Sequence, residues 1–230
     1  MTRLQKIWLF SLVLMFTVAM LATFGDLLLV HLNYLPFMDT LTFQKKVVVP
    51  DHDQNPNGID LVNGARQEVT RHTLWDASYY QGGYPPEGRG DDTDVIWRAF
   101  RAAGYNLKDM VDADIQADPA AYSAFVKQPD PNIDFRKVGV LDIFFQRHAL
   151  ELTTDVKPGD VSNLVKWQPG DIVVFGLPAD PDHIAIISDR RRKDGVPLVI
   201  HNAGPWATEG DYLLRWHSKV DHHFRYIIQR

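Results

Sequence analysis

The chain has 230 residues, of which 45% are hydrophobic and 23% are charged, and its formal net charge is −5. This composition is typical of a folded domain and excludes wholesale disorder, while the acidic balance leaves no basic surface for nucleic acid, so we expect no nucleic-acid partner. The chain has no cysteine, which excludes disulfides, thiolate metal sites and a cysteine nucleophile.

An apolar segment near the N-terminus predicts a membrane anchor. Residues 7–32 are almost wholly apolar, and about 20 apolar residues in a helix span a bilayer of roughly 30 Å. Arg3 and Lys6 precede the segment and favour a cytoplasmic location for residues 1–6. We therefore expect a transmembrane signal anchor at 7–32 and a single-pass protein of the cell membrane, with its C-terminal domain on the extracytoplasmic side. A cleaved signal peptide is the alternative, although no small-residue cleavage site follows the apolar run.

Residues 33–57 show scattered Pro, Asp and Asn and no sustained apolar period, so we interpret them as a linker to a domain over residues 58–230. Within this domain, Leu74–Tyr80 is short and aromatic and is predicted to be extended rather than helical. Apolar residues at helical spacing predict helices over the following ranges: 59–69, 95–103, 107–115 and 138–147.

The second of these helices carries the most informative residues at its start. Asp91, Asp92 and Thr93 are candidate N-cap residues, because their side-chain oxygens can accept hydrogen bonds from the free N–H groups of a first helical turn. Asp94 follows in that turn, where the helix dipole stabilises a negative charge. The preceding glycine- and proline-rich segment is predicted to be a loop. The loop would deliver carboxylates to a helix N-terminus, a position at which many hydrolases hold a nucleophile.

The C-terminal part of the domain is predicted to supply a sheet. Apolar runs predict strands over 172–175, 183–188 and 198–201, and we assign Ile227 and Ile228 to a last strand. Because the helices come first and the strands follow, the expected fold class is α+β, with N-terminal helices packed on an antiparallel sheet.

Two histidines lie at the ends of a predicted hairpin. Symmetric pairing about Arg192 sets Ile186 opposite Leu198 and His183 opposite His201. The two histidines would then share one face of the sheet. Two unrelated polar residues at strand ends are the alternative. We interpret the other histidines near the C-terminus as surface residues: His217, His222 and His223.

Six stretches of the domain, in their order and spacing, resemble the bacterial domain-of-unknown-function family numbered 1287. The stretches are Arg89-Gly90 with Thr93-Asp94-Val95, then Pro129-Asp130-Pro131-Asn132-Ile133-Asp134, Pro169-Gly170-Asp171-Ile172-Val173, His183-Ile184-Ala185-Ile186, Val199-Ile200-His201-Asn202 and His223-Phe224-Arg225-Tyr226. That family is similar to the papain-like NlpC-type cell-wall peptidases. The resemblance implies a papain-like fold and a peptidoglycan peptide, or the cell wall, as partner.

The resemblance also implies three site residues. The family pattern has a nucleophile at the helix start, a base histidine that opens a strand, and an orienting polar residue on the next strand. These roles fall on Asp92, His183 and His201. Asp92 stands where the pattern has cysteine, so thiol catalysis is excluded and enzymatic activity is left open. An ionised Asp92 is expected to raise the proton affinity of both histidines. Candidate substrate-binding residues beside the site are Tyr79, Tyr84, Thr93 and Asp94, and packing is the alternative role for the two tyrosines.

Three functions fit these expectations. The first is a wall-binding or regulatory module that keeps the peptide groove of a degenerate peptidase and uses no cofactor. The second is a hydrolase of cell-wall peptides in which Asp92, His183 and His201 bind a metal such as zinc, because two histidines and a carboxylate leave positions open for a reactive water. The third is a membrane-anchored domain that contacts a partner protein.

Overall fold

The computed structural model of the protein describes residues 58–177 and 180–227. The three predicted N-terminal segments, 1–6, 7–32 and 33–57, lie outside the described residues. Within the described ranges, no helix combines the length and the apolar character that a bilayer crossing requires.

Helices occupy the N-terminal part of the described domain. They are α1 (Gly58–Thr70), α2 (Asp92–Ala102), α3 (Leu107–Ala117), α4 (Val138–His148) and α5 (Val161–Leu164), with a short 3-10 helix at Asp134–Arg136. The helices predicted from apolar spacing are confirmed as α1 to α4. Helix α5 escaped prediction, because a single turn is too short to show an apolar period.

Strands dominate the C-terminal part. They are β1 (Leu74–Trp75), β2 (Arg89–Gly90), β3 (Leu150–Glu151), β4 (Ile172–Leu177), β5 (Asp180–Arg191), β6 (Pro197–His201), β7 (Thr208–Gly210) and β8 (Val220–Arg225). Strands β1 and β2 form a small parallel pair, and the others form one antiparallel sheet in the order β3-β8-β4-β5-β6-β7. The described domain is therefore α+β with an antiparallel sheet, as predicted.

The last strand lies upstream of its predicted position. Strand β8 pairs with β4 and ends at Arg225, whereas Ile227 lies outside it and is 45% exposed. The prediction of a strand at Ile227 is therefore wrong, and Ile228 lies beyond the described residues. The error arose because β8 buries polar side chains, His223 and Arg225, and so has no apolar run that would reveal it.

Helices α1 and α2 pack closely against each other and against β5. A Cβ atom at Gly64 of α1 would lie 2.6 Å from Ala102 Cβ and 2.9 Å from Ala99 Cα, so only glycine permits this approach. On α2, Ile96 and Phe100 are fully buried in the core, and each such side chain stabilises the fold by about 1.5–3 kcal/mol. This packing fixes the start of α2 against the sheet.

Both faces of the antiparallel sheet are covered. Ile184 and Ile186 of β5 face the helical core, whereas the alternate residues His183, Ala185 and Ile187 face the other side and are also buried. Aromatic side chains from loop segments pack against that second face: Trp167, Tyr212 and Trp216. The predicted site histidines belong to this second face.

Candidate functional site

Helix α2 begins with a complete capping arrangement. Asp91 is the N-cap, and its Oδ1 accepts hydrogen bonds from Asp94 N at 3.1 Å and from Thr93 Oγ1 at 2.6 Å. In return, Asp91 N donates to Asp94 Oδ2 at 2.8 Å. This reciprocal pair satisfies two of the N–H groups that a helix start leaves free. The cap fixes Asp92 as the first residue of α2.

Asp94 is held from the protein interior. Its oxygens accept hydrogen bonds from Arg136 Nε and Nη2, each at 2.8 Å, and from Trp97 Nε1 at 2.6 Å. Asp94 is fully buried and Thr93 is 1% exposed. In this structure, the two predicted substrate-binding residues Thr93 and Asp94 stabilise the start of α2. A ligand could contact them only if the first turn of this helix moved.

The three predicted site residues form one chain of hydrogen bonds. His183 Nδ1 lies 2.7 Å from Asp92 Oδ2, and His183 Nε2 lies 2.7 Å from His201 Nδ1. Asp92 is 9% exposed, His183 4% and His201 1%. The structure therefore brings together residues that lie 91 and 18 positions apart in the sequence.

Asp92 is also bonded to the backbone on both sides of the site. Its Oδ1 accepts from Thr93 N at 2.9 Å, and its Oδ2 accepts from Ile184 N at 3.0 Å. The carboxylate thereby bridges the start of α2 and the middle of β5. Both of its oxygens are engaged before any ligand arrives.

The two histidines share a face although the predicted strand register is wrong. The structure pairs Ile186 with Ile200 and Ile187 with Val199, a shift of two residues from the predicted pairing of Ile186 with Leu198. The shift arises because the hairpin turns about Asp194, where Arg191 pairs with Pro197, rather than about Arg192, and a register irregularity between Ile187 and Arg191 lies within it. Because side chains alternate with a period of two, an even shift leaves both imidazoles on one face.

The surroundings of His201 lower its pKa. Burial, together with the positive charge of His183, holds the pKa of His201 well below its ordinary value. The expectation that Asp92 raises the proton affinity of both histidines is therefore wrong for His201, because Asp92 contacts only His183. Neutral His201 carries a single ring proton at neutral pH. Its Nε2 is buried and has no hydrogen-bond partner among the described residues.

A family model described as "Domain of unknown function (DUF1287)" matches residues 62–226, which contain the whole hydrogen-bonded chain. The protein belongs to the DUF1287 family. It is also similar to the "Uncharacterized protein YijF" of Escherichia coli (strain K12), with 36% identity over 182 residues, 76% of this chain and 85% of that protein. The family expected from the sequence motifs is thus confirmed.

Two aromatic residues that sequence reasoning missed enclose the histidines of this DUF1287 domain. The Trp216 ring stacks on His183, with centroids 4.1 Å apart and planes at 19°, and the Tyr212 ring lies 4.3 Å from His201. Trp216 Nε1 is buried without a hydrogen-bond partner in the described part of the chain. Both residues come from a loop with no apolar period, so the sequence offered no signal for their role.

The arrangement differs from a metal site in one respect. Asp92 and His201 contact opposite nitrogens of the same His183 ring, whereas the ligands of one ion must point to a common centre. Over residues 58–177 and 180–227, no group of three or more histidine or carboxylate side chains has a metal-binding arrangement. Zinc binding by this trio would require at least one of the side chains to rotate.

The two predicted tyrosines lie outside this buried chain. Tyr79 is 54% exposed, and its hydroxyl donates to Asp130 Oδ2 at 3.1 Å. Tyr84 is 43% exposed and packs against Trp97, with ring centroids 4.9 Å apart. Both therefore present surface that a ligand can reach, but neither contacts Asp92.

A second buried carboxylate–histidine pair lies elsewhere on the same sheet. His223 is fully buried, so its prediction as a surface residue is wrong. Its Nε2 lies 2.9 Å from Asp171 Oδ2, and its ring stacks on Trp167 with centroids 3.9 Å apart. Arg225 Nε and Nη2 each donate to Asp171 at 2.7 Å. The Pro-Gly-Asp motif of the DUF1287 pattern thus supplies a structural anion.

Proposed function

We propose that this DUF1287 domain is a papain-like domain without thiol catalysis that binds cell-wall peptide, on the extracytoplasmic side of a membrane to which residues 7–32 anchor it. One observation carries the proposal. Asp92 occupies the start of α2 and is joined through His183 to His201. The three residues follow the family order of nucleophile, base and orienting residue, except that the nucleophile position holds a carboxylate.

The contacts of Asp92 support the absence of catalysis. A carboxylate is a far poorer nucleophile towards an amide than a thiolate, and here both oxygens already accept hydrogen bonds. The N–H groups of Thr93 and Ile184, which are placed to stabilise a developing oxyanion, donate to Asp92 instead. The Trp216 ring also covers one side of the His183 imidazole. The site therefore has no free nucleophile, and the N–H groups of Thr93 and Ile184 are not free to bind an oxyanion.

An exposed apolar surface beside the site supports a binding role. Leu74, Trp75 and Trp206 are 47%, 51% and 42% exposed, and we call these three residues the aromatic rim. Leu74 forms a backbone bridge with Trp206, and Trp75 pairs with Gly90, which directly precedes the cap of α2. Large exposed apolar side chains on neighbouring backbone segments are typical of interaction sites.

The aromatic rim is held firmly by the backbone around it. Asn202, which follows His201, donates from Nδ2 to Thr73 O at 3.1 Å and to Gly90 O at 2.8 Å. Trp75 N donates to Pro205 O at 3.0 Å. Strand β6, the loop after it and the β1–β2 pair are thereby tied together, so a ligand on the rim would meet a preorganised surface.

Sedimentation with purified cell-wall sacculi tests the proposal. The full chain in detergent is expected to sediment with sacculi, and the double variant Trp75→Ala, Trp206→Ala is expected to lose at least about tenfold in affinity, because buried aromatic anchors dominate binding energy. Leu150→Ala removes an equally exposed apolar side chain elsewhere and serves as the control.

The outcome also separates the competing functions. Retention that is unchanged in the double variant would remove the aromatic rim from the proposal. A wild-type protein that does not sediment with sacculi would contradict wall binding and favour a domain that contacts a partner protein. Release of wall peptides by the wild-type chain would contradict the absence of catalysis.

A further inference from the structure

A second concave site lies away from the hydrogen-bonded chain. A cavity of about 400 Å³ opens between the end of α2 and the start of α3. Tyr84, Trp97 and Tyr105 form its aromatic walls, and Arg101 and Lys108 supply two cationic groups. We call it the α2–α3 pocket. Arg101 follows Asp92 by nine helical residues, a rise of about 13 Å, so the pocket is distinct from the Asp92 site.

The walls of the α2–α3 pocket are fixed from behind. Trp97 Nε1 donates to the buried Asp94 at 2.6 Å, which holds the indole ring in one orientation. Tyr84 packs on that ring and also on Phe135, with centroids 5.6 Å apart, and its hydroxyl donates to Asn106 Oδ1 at 3.3 Å. A flat apolar group entering the pocket would meet rings that need little reorganisation.

The charges of the pocket differ in how far they are neutralised. Lys108 Nζ forms an ion pair with Asp112 at 2.5 Å. Asp109 accepts a hydrogen bond from Asn106 Nδ2 at 2.6 Å. Within residues 58–177 and 180–227, no carboxylate forms an ion pair with Arg101, whose guanidinium lies 4.8 Å from the centroid of the Trp97 ring. Arg101 is exposed, so its donors are open to an anion.

The neighbouring arginine of the same helix shows the contrast. Arg98 also lies over Trp97, at 4.9 Å from the ring centroid, but it is buried and its donors are taken by Glu68 at 2.7 Å and by the carbonyl oxygen of Arg89 at 2.7 Å. Arg98 is therefore a structural guanidinium. Arg101, in contrast, forms no ion pair with a carboxylate among the described residues. A planar guanidinium matches a carboxylate through two parallel hydrogen bonds.

We propose that the α2–α3 pocket binds an organic carboxylate whose apolar body lies among Tyr84, Trp97 and Tyr105 while its carboxylate pairs with Arg101. The chemistry fits the free carboxyl end of a peptide and equally a small aromatic acid. The proposal is independent of wall binding at the aromatic rim, because the α2–α3 pocket and the rim have no residue in common.

Titration by NMR with N-acetylphenylalanine, its amide and phenylacetate tests the pocket on the full chain in detergent micelles, against empty micelles. The acid is expected to bind at least about tenfold more tightly than the amide, because the hydrogen bonds of Arg101 are charge-assisted. Arg101→Gln is expected to cause the same loss, whereas Lys127→Gln, which removes one charge from an exposed lysine outside the pocket, is expected to leave binding unchanged. Tyr84→Ala is expected to weaken the acid and the amide alike.

The two sources of carboxylate are separated by the third probe. Tighter binding of N-acetylphenylalanine than of phenylacetate assigns the pocket to peptide ends, and the reverse assigns it to small aromatic acids. Equal binding of acid and amide, an equal effect of Lys127→Gln and Arg101→Gln, or no binding above empty micelles would overturn the proposal. Sacculus sedimentation of Arg101→Gln is expected to equal that of the wild type, so a failure here is distinguishable from a failure of wall binding.

Discussion

Two buried carboxylate–imidazole pairs on one sheet differ in how completely they are satisfied. Around Asp171, the backbone N–H of Gln168, the guanidinium of Arg225 and the ring of His223 meet both carboxylate oxygens, and His223 Nδ1 donates to Thr153 O at 2.8 Å. Trp167 Nε1 and Gln168 Oε1 beside the pair are buried without a partner among the described residues, but both oxygens of Asp171 and both ring nitrogens of His223 have one. Such a closed network rigidifies a core and leaves nothing for a ligand.

The cluster around Asp92 also contains a buried carboxylate bonded to a histidine, but it differs at the last residue of the chain, His201. Asp92 and His183 are fully bonded, but His201 Nε2 and Trp216 Nε1 are buried with no partner within the described residues. Unsatisfied buried polar atoms are uncommon in folded proteins and call for an explanation. Because the tryptophan beside each pair leaves its Nε1 unpaired, the difference lies in His201 Nε2. The comparison indicates that the Asp171 pair stabilises the fold, whereas the Asp92 chain ends at an imidazole nitrogen without a partner among the described residues.

The largest effect is expected from breaking the closed cluster. Asp171→Ala leaves the buried guanidinium of Arg225 without its anion and the buried His223 ring without its hydrogen-bond partner, and we expect a loss of about 3–5 kcal/mol in the free energy of unfolding. Urea denaturation followed by circular dichroism measures it. Asp155→Ala removes an exposed carboxylate and is the control. A loss below 1 kcal/mol would show that the Asp171 cluster does not stabilise the fold.

Introducing a thiol at position 92 sharpens the comparison from the other side. Asp92→Cys places a thiol at a helix N-terminus beside His183, where its pKa is expected to fall, so that alkylation at neutral pH is about tenfold faster than for an exposed cysteine. Ser123→Cys provides the exposed reference. Adding His183→Ala to Asp92→Cys should slow the reaction. A thiol that reacts no faster than the reference would count against a papain-like site.

The cap of α2 is expected to make stability depend on pH. Burial, with the nearby charges of Asp94 and Asp92, raises the pKa of Asp91 to about 8 in the folded protein. A carboxyl group whose folded pKa lies above its unfolded value stabilises the fold when protonated, so its contribution is present below about pH 4 and is lost as the pH rises towards 8.

Asp91→Asn tests this dependence because asparagine is also a good N-cap residue. Between pH 5 and pH 8, the wild type is expected to lose more than about 1 kcal/mol of stability relative to the variant, because each unit of pKa shift corresponds to about 1.36 kcal/mol. Thermal unfolding across this pH range measures the difference. Parallel pH profiles for the two proteins would contradict the assignment to Asp91.

The smallest effect is expected from zinc. Because Asp92 and His201 contact opposite nitrogens of His183, we expect no saturable zinc binding by calorimetry at neutral pH. Binding that is abolished both by Asp92→Ala and by His183→Ala would instead establish a metal site and revive a metal-dependent hydrolase. It would also show that the three side chains rotate from the arrangement described.

Local sequence signals predicted the helices and part of the site well. The N-cap carboxylates of α2 and the helical apolar period depend on neighbours within one or two turns, so the sequence shows them directly. The shared face of His183 and His201 was also predictable, since it requires only that the parity of the strand pairing is right. The exact register was not, because the residue types of the polar turn do not show that it is centred on Asp194, and the irregularity after Ile187 leaves no signature in residue type.

By itself, the sequence determined the order of helices and strands, the absence of thiol chemistry, and the position of Asp92 at a helix start, because these depend on local spacing and residue type. Only the tertiary structure decided which buried polar residues are satisfied. His201 was predicted as a site residue and His223 as a surface residue; both are buried, yet His223 is closed by Asp171 and His201 keeps an unpaired nitrogen beside Trp216. Hydrogen bonds between distant segments make that difference, and no local pattern encodes them.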